Sequence, residues 1–385
     1  MKEEINSFLS TCDQDLKDLC NYLYNNPEKS YNEFKCSKYI CDLLEKYGFN
    51  VCRNFLDIPN SFICEKGSGH PKICYLCEYD AIEGSGHITG HNLLSTISVA
   101  AALSLGNVID KLSGSVVVIG CPGEYLGGTK AIMTKQGAFD DIDVVMVAHP
   151  DILTSESGSS SAIIPLNIEY KGIDGLSFLN KNAYTALDAV LLNFNILNSL
   201  TKGFPKNLEI NSILSKGGYT PLLLPSKVEA KFYIRSKDSK TAEWADNKLR
   251  KIAQYVSDLT GIENTISLYE PPNQELITNR TLNRLFSHNL KENGIIEIGT
   301  PRDIYAGLSL GTVSHKVPCI HPYISIVNDS STLYGTKDFA KATLSSFAFK
   351  QCKIAALALV STGIDLIENK TLLSEVKTEF FNFIK

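Results

Sequence analysis

Three short runs, "KICYLCEYD" (72–80), "GSVVVIGCPGEY" (114–125) and "DVVMVAHP" (143–150), constrain this chain more than anything else in it. Each is apolar almost without a break and ends in polar residues. A strand that is apolar on both sides must be covered on both faces. Helical patterns lie between these runs. "HNLLSTISVAAALSLGNVI" (91–109) is apolar on most of its faces and reads as a buried helix. "GGTKAIMTKQGAF" (127–139) reads as a helix closed near Gly137. The alternation predicts an α/β/α domain with a mostly parallel sheet. Two more helices are expected ahead of it, over 4–25 and 32–48.

After Pro150 the pattern changes. "SESGSSSAIIP" (155–165) is small and polar, as a connection would be. The next hundred residues or so read strand, helix, strand, strand, helix, strand. That βαββαβ order fits a ferredoxin-like module. The first pattern resumes after "PPNQELITN" (271–279). The expected organisation is one discontinuous domain, 1–163 with 272–385, interrupted by a module over 164–271.

The bulk numbers exclude several partners. With 385 residues, 44% hydrophobic content and a net charge of −5, the chain can bury a large core and carries no basic stripe, so nucleic acid is not expected. The first residues, "MKEEINSFLS", lack the apolar core of a signal peptide. Apolar runs such as "VAAALSL" fall short of the ~18 residues that span a bilayer, so no membrane association is expected. The eleven cysteines are odd in number and irregularly spaced. They read as reduced core thiols of a cytoplasmic protein. Cys74 and Cys77 have CxxC spacing, but within a strand they point to opposite faces.

In open α/β sheets ligands bind at the carboxyl ends of the strands. The first strand ends at Glu78 and Asp80, the second at Glu124 and the third at His149. The turn "GHITGHN" (86–92) adds His87 and His91 at a helix start. One mouth therefore collects acids and imidazoles from three successive strands.

These same stretches resemble the metallopeptidase family of aminoacylases and amino-acid amidohydrolases, family M-twenty. The similarity is greatest to the branch that cleaves N-acyl or aminobenzoyl amino acids and dipeptides. It rests on "EYDAIEGSGHITGHN", "PGEYLGGT", "MVAHP", "GTVSHKVPCIHPY", "YTPLLLP" and "FYIRS", and it runs from about Tyr31 to the last helix. The resemblance implies that the inserted module is a lid that dimerises. It places the general base at Glu124 and sets Asp80, His87, His315, His321 and Arg235 near the site or its substrate end.

The departures are in the metal ligands. Of the five that the resemblance implies, His91 and His149 are present, while Thr89, Tyr125 and Gly335 fall on the other three positions. Leu222 stands where the lid has an Asn, and the lid His is missing. Two neutral hydroxyls cannot replace a thiolate and a carboxylate on a pair of divalent ions. The expectation is therefore no resident metal beyond residual zinc or manganese, with His91 and His149 as remnants. Glu124, His91, His149 and Asp80 are the catalytic candidates. Thr89, Tyr125, His87, Arg235, His315 and His321 are the substrate-binding candidates, for a small acyl-amino-acid or peptide-like ligand bound by a homodimer. The leading expectation is metal-independent acid–base, acyl-transfer or cyclisation chemistry. Two alternatives stand beside it. One is a metal-dependent amidohydrolase with an altered single-metal site on His91, His149 and Asp80. The other is a non-catalytic protein that regulates or scaffolds a related enzyme.

Overall fold

The computed structural model describes residues 1–180 and 182–384. They form two compact units. The first comprises Met1–Ser159, Leu276–Ile304 and Thr312–Lys385, the second Ser160–Glu275 and Tyr305–Gly311. The segment 305–311 lies outside the module read from sequence. Backbone contacts explain its membership: the Ser161 amide donates to the Ala306 carbonyl, Ser161 bridges to Gly307, and Gly311 packs on the carbonyl of Gln274.

The first unit is built on a six-stranded sheet. Its order is Asn50–Arg53, Phe62–Gly67, Ser115–Gly120, Lys72–Cys77, Val144–Met146 and Cys319–Ile320. The last four strands are mutually parallel, and the first two form an antiparallel edge. Sequence reading missed that edge, because Asn50–Arg53 is largely exposed and shows no apolar run. Strand alternation splits the core. Ile73, Tyr75 and Cys77 join the main apolar cluster beside the helix His91–Val108. Cys74 and Leu76 are buried outside that cluster, on the opposite face.

The helix His91–Val108 is buried along nearly its whole length. Together with Ser346–Glu368 it is long and apolar enough, by length and composition alone, to cross a membrane. Counting only unbroken runs had put no segment in that class. Three of the hydroxyls that interrupt the run donate to backbone inside the core: Ser95 to the Glu78 carbonyl, Thr96 to the Asn92 carbonyl and Ser98 to the Leu76 carbonyl.

The run "DVVMVAHP" forms two strands rather than one. Val144–Met146 stays in the six-stranded sheet, while His149–Asp151 enters a second sheet of order Gly299–Arg302, Ser155–Ser157, Tyr323–Ser325, His149–Asp151. "VPCIHPYISI" divides in the same way, into Cys319–Ile320 and Tyr323–Ser325. The two segments travel together, His149 pairing with Tyr323 and the His149 amide donating to the Pro322 carbonyl. This switch of sheet brings His149, His321 and Tyr323 together.

In the second unit the sheet order is Leu208–Lys216, Lys227–Ser236, Ala162–Lys171, Glu263–Leu268, all antiparallel. The helices Ala186–Leu200 and Ser239–Thr260 pack with it in one apolar cluster. The chain order of these elements is βαββαβ. All eleven cysteines are free, and only Cys52 is exposed.

Candidate metal centre

Three backbone features aim side chains at one point in the first unit. The strand Lys72–Cys77 ends just before Glu78, Tyr79 and Asp80. The helix that begins at His91 is preceded by Gly90 with φ +85°, where a β-carbon would press on Pro150 and Phe339. The turn after Ser115–Gly120 carries Glu124 and Tyr125 between Gly123 (φ +82°) and Gly127 (φ +88°).

Each of Glu78, His91 and His149 offers a ligand atom within 4.8 Å of the others, and all three are buried. His91 Nε2 lies 3.4 Å from Glu78 Oε2. Two donors each ~2.0–2.2 Å from a tetrahedral ion are about 3.4 Å apart. The other nitrogen of each imidazole is already engaged. His91 Nδ1 donates to Asp80 Oδ1 at 2.8 Å, and His149 Nδ1 donates to the Pro150 carbonyl at 2.8 Å. That leaves both Nε2 lone pairs for a ligand, the usual outer-shell arrangement of a metal-binding histidine. One carboxylate and two imidazoles fit a divalent transition ion.

This corrects the expectation of no resident metal. That expectation counted lost ligands and passed over Glu78. It also gave Asp80 the wrong part in the single-metal alternative: Asp80 stands behind His91, not in the donor set. Its Oδ2 accepts from the Ser30 hydroxyl at 2.7 Å and from the Tyr125 amide at 2.9 Å.

Lys130 was not foreseen at all. It is 0% exposed, and its Nζ lies 2.7 Å from Glu78 Oε1 and 2.7 Å from Glu124 Oε2. The only sequence signal was a lysine at the start of a helix whose neighbours Ala131, Met133 and Thr134 are buried. Burial alone would push the ammonium's pKa down, but Glu124 and Glu78 outweigh it, and the pKa is raised. Burial would likewise raise Glu78; Lys130 and the two imidazoles hold it well below the ordinary carboxylate range. For His91, burial is overcome by the Asp80 hydrogen bond and the charges of Asp80 and Glu78, and the pKa rises. His149 goes the other way, lowered by burial and by His91.

Neutral groups surround this charged set. Tyr125 stacks on His91, with ring centroids 4.5 Å apart and planes at 18°, and its hydroxyl is hydrogen-bonded to Thr89. His321 lies with its centroid 5.3 Å from that of His149, and its buried Nδ1 has no hydrogen-bond partner. Burial pushes its pKa to about 3. Tyr323 and Tyr334 also face His149, with centroids at 6.1 and 6.4 Å.

The remaining candidates lie elsewhere. His87 is 1% exposed, with Nε2 3.0 Å from the Leu23 carbonyl on the helix Asp13–Asn25. Burial lowers its pKa to about 4, so it is a neutral core residue. His315 is half-buried, just past the short helix Leu310–Ser314. Arg235 belongs to the second unit, where it pairs with Glu209 at 3.2 Å across the sheet and stacks on Tyr233. Gly335 has φ +78° and open space where a side chain would point.

Known proteins are similar to this chain over most of its length. No family model matches the chain. It is 30% identical over 323 residues to the Xaa-Arg dipeptidase of Mus musculus, covering 80% of this chain and 73% of that protein. It is 29% identical over 307 residues to a p-aminobenzoyl-glutamate hydrolase chain of Escherichia coli, covering 74% of this chain and 62% of that one. A solved structure described as a dinuclear metal binding peptidase of the M-twenty family, from Bacillus subtilis, superposes with a TM-score of 0.64 at 16% identity, over 93% of this chain and 99% of that one. The fold is that of the M-twenty amidohydrolases, and the chain belongs to that family.

Proposed function

We propose that this protein is a metal-dependent amidohydrolase that cleaves the amide bond of an N-acyl amino acid or a dipeptide. The observation that carries the reading is the donor set Glu78, His91 and His149, with each histidine's Nδ1 committed to an acceptor. An ion bound there would supply Lewis acidity toward a carbonyl oxygen and toward water. The rest falls to the side chains. Asp80 fixes the tautomer and direction of His91. Glu124, steadied by Lys130 at Oε2, is the carboxylate placed to take a proton from water. Water oxygen adds to the amide carbon, the C–N bond breaks, and Glu124 passes the proton to the departing amine nitrogen. Tyr125, Tyr323 and Tyr334 form an aromatic, neutral wall against which an acyl or side-chain group can pack.

The test is hydrolysis of a panel of N-acetyl amino acids, aminobenzoyl-glutamate and dipeptides ending in arginine. Activity should vanish in chelator and return with zinc or manganese. Full turnover in chelator would sink the reading. Glu124→Gln should keep the ion and lose roughly 10²- to 10⁴-fold in kcat.

The same proposal includes a homodimer, formed along Leu208–Lys216. That strand lies at the edge of its sheet, with Ile213 and Leu214 exposed. Unpaired edges of this kind accept another strand. Light scattering that returned the 42.4 kDa of one chain would count against it. A cytoplasmic location, where eleven free thiols stay reduced, completes the proposal.

A further inference from the structure

We propose that the centre is built for one divalent ion, and that the hydrogen-bonded pair Thr89–Tyr125 closes the space beside it to a second. The inference rests on the metal-dependent reading above and gives it a stoichiometry.

Charge is the first argument. Glu78, Asp80 and Glu124 bring three carboxylates to the centre, and Lys130 brings one ammonium. Imidazoles ligate a metal in their neutral form. Three negative charges less one positive leave two, which one divalent ion balances. A second ion would leave two positive charges uncompensated where Glu78, Lys130 and His91 are all buried. The cost of an unbalanced charge in such a place is several kcal/mol or more. Asp151, close by, is matched by Arg302.

Geometry is the second argument. Among the described residues, one group of His, Cys, Asp and Glu side chains is close enough to share an ion, and it has three members. Beside it, Thr89 and Tyr125 satisfy each other through their hydroxyls, and the Tyr125 ring covers the face of His91. Both hydroxyls are neutral near pH 7. Lys130 already occupies the gap between Glu78 and Glu124, so those two carboxylates cannot close on a further ion without displacing it.

The measurement is metal content of the intact protein. Protein loaded with manganese and desalted should retain one ion per chain by elemental analysis, with the spectrum of an isolated Mn²⁺ in electron paramagnetic resonance. Two retained ions, or a spin-coupled pair, would overturn the single-ion inference and leave the hydrolase reading standing. No retained ion would sink the hydrolase reading itself. The double variant Thr89→Cys/Tyr125→Glu adds two anionic donors, and its retained metal should rise from one ion to two. A folded double variant that still holds one would show that charge and donors at these positions do not set the number, and the proposal would fail. The native measurement decides the matter even if the variant does not fold.

Discussion

Asp80 holds His91 by its Nδ1 at 2.8 Å, and the other oxygen of the same carboxylate receives the Tyr125 amide and the Ser30 hydroxyl. One 0%-exposed carboxylate thus orients an imidazole of the candidate metal centre and anchors the turn that carries Glu124. Asp80→Asn keeps the size but loses an acceptor and the charge. Removal of such outer-shell partners typically costs 10- to 100-fold in metal affinity or activity. Titration calorimetry with zinc should show a drop of that size in the folded variant. Unchanged affinity would mean that Asp80 serves the fold and not the ion.

Lys130 poses a different question, because it is buried between two carboxylates. Lys130→Met conserves much of the volume and leaves Glu78 and Glu124 facing each other without a cation. Removing one partner from a buried ion pair costs about 3–5 kcal/mol. Urea unfolding in chelator, so that no ion compensates, should show a loss of that order. A loss below about 1 kcal/mol would place Lys130 with ordinary surface pairs.

Much of this was legible before any coordinates. Continuous apolar runs require a covered sheet, and the run ends named Glu78, Asp80, Glu124 and His149 as neighbours. What the sequence could not do was separate Glu78 from Asp80. Two residues apart beyond a strand, they share the same parity, and either could have been the donor. The difference is made by Ser30 and the Tyr125 amide, which saturate Asp80 from distant parts of the chain. Lys130 was invisible for a related reason. A buried ammonium needs acids close in space, and its partners are 52 and 6 residues away in sequence. Counting lost ligands by resemblance then led to the wrong conclusion about metal, because it scored positions and not the charge that remained. The sheet switch at His149 depends on sheet geometry rather than composition, so "DVVMVAHP" read as a single strand.

Glu33 makes the last prediction, one about pH. It is 0% exposed; its Oε1 accepts from the Gly123 amide at 2.7 Å, and its Oε2 has no partner. Gly123 leads directly into Glu124, so this carboxyl holds the start of the turn that carries Glu124. Burial, aided by the charge of Asp80, raises its pKa from 4.5 to about 7. An acid whose pKa is higher in the folded state binds its proton more tightly there. Its contribution to stability is therefore complete below the unfolded value, about 4.5, and is lost as pH rises through about 7. The shift corresponds to about 3 kcal/mol. Glu33→Gln keeps an oxygen for the Gly123 amide and has no proton to lose. The melting temperature of the native protein should fall relative to the variant between pH 5 and pH 8, with the variant the more stable at the alkaline end. Differential scanning calorimetry across that range measures it. Parallel curves for the two proteins would show that Glu33 does not titrate in the fold, and that the Gly123 turn is held by a carboxylate after all.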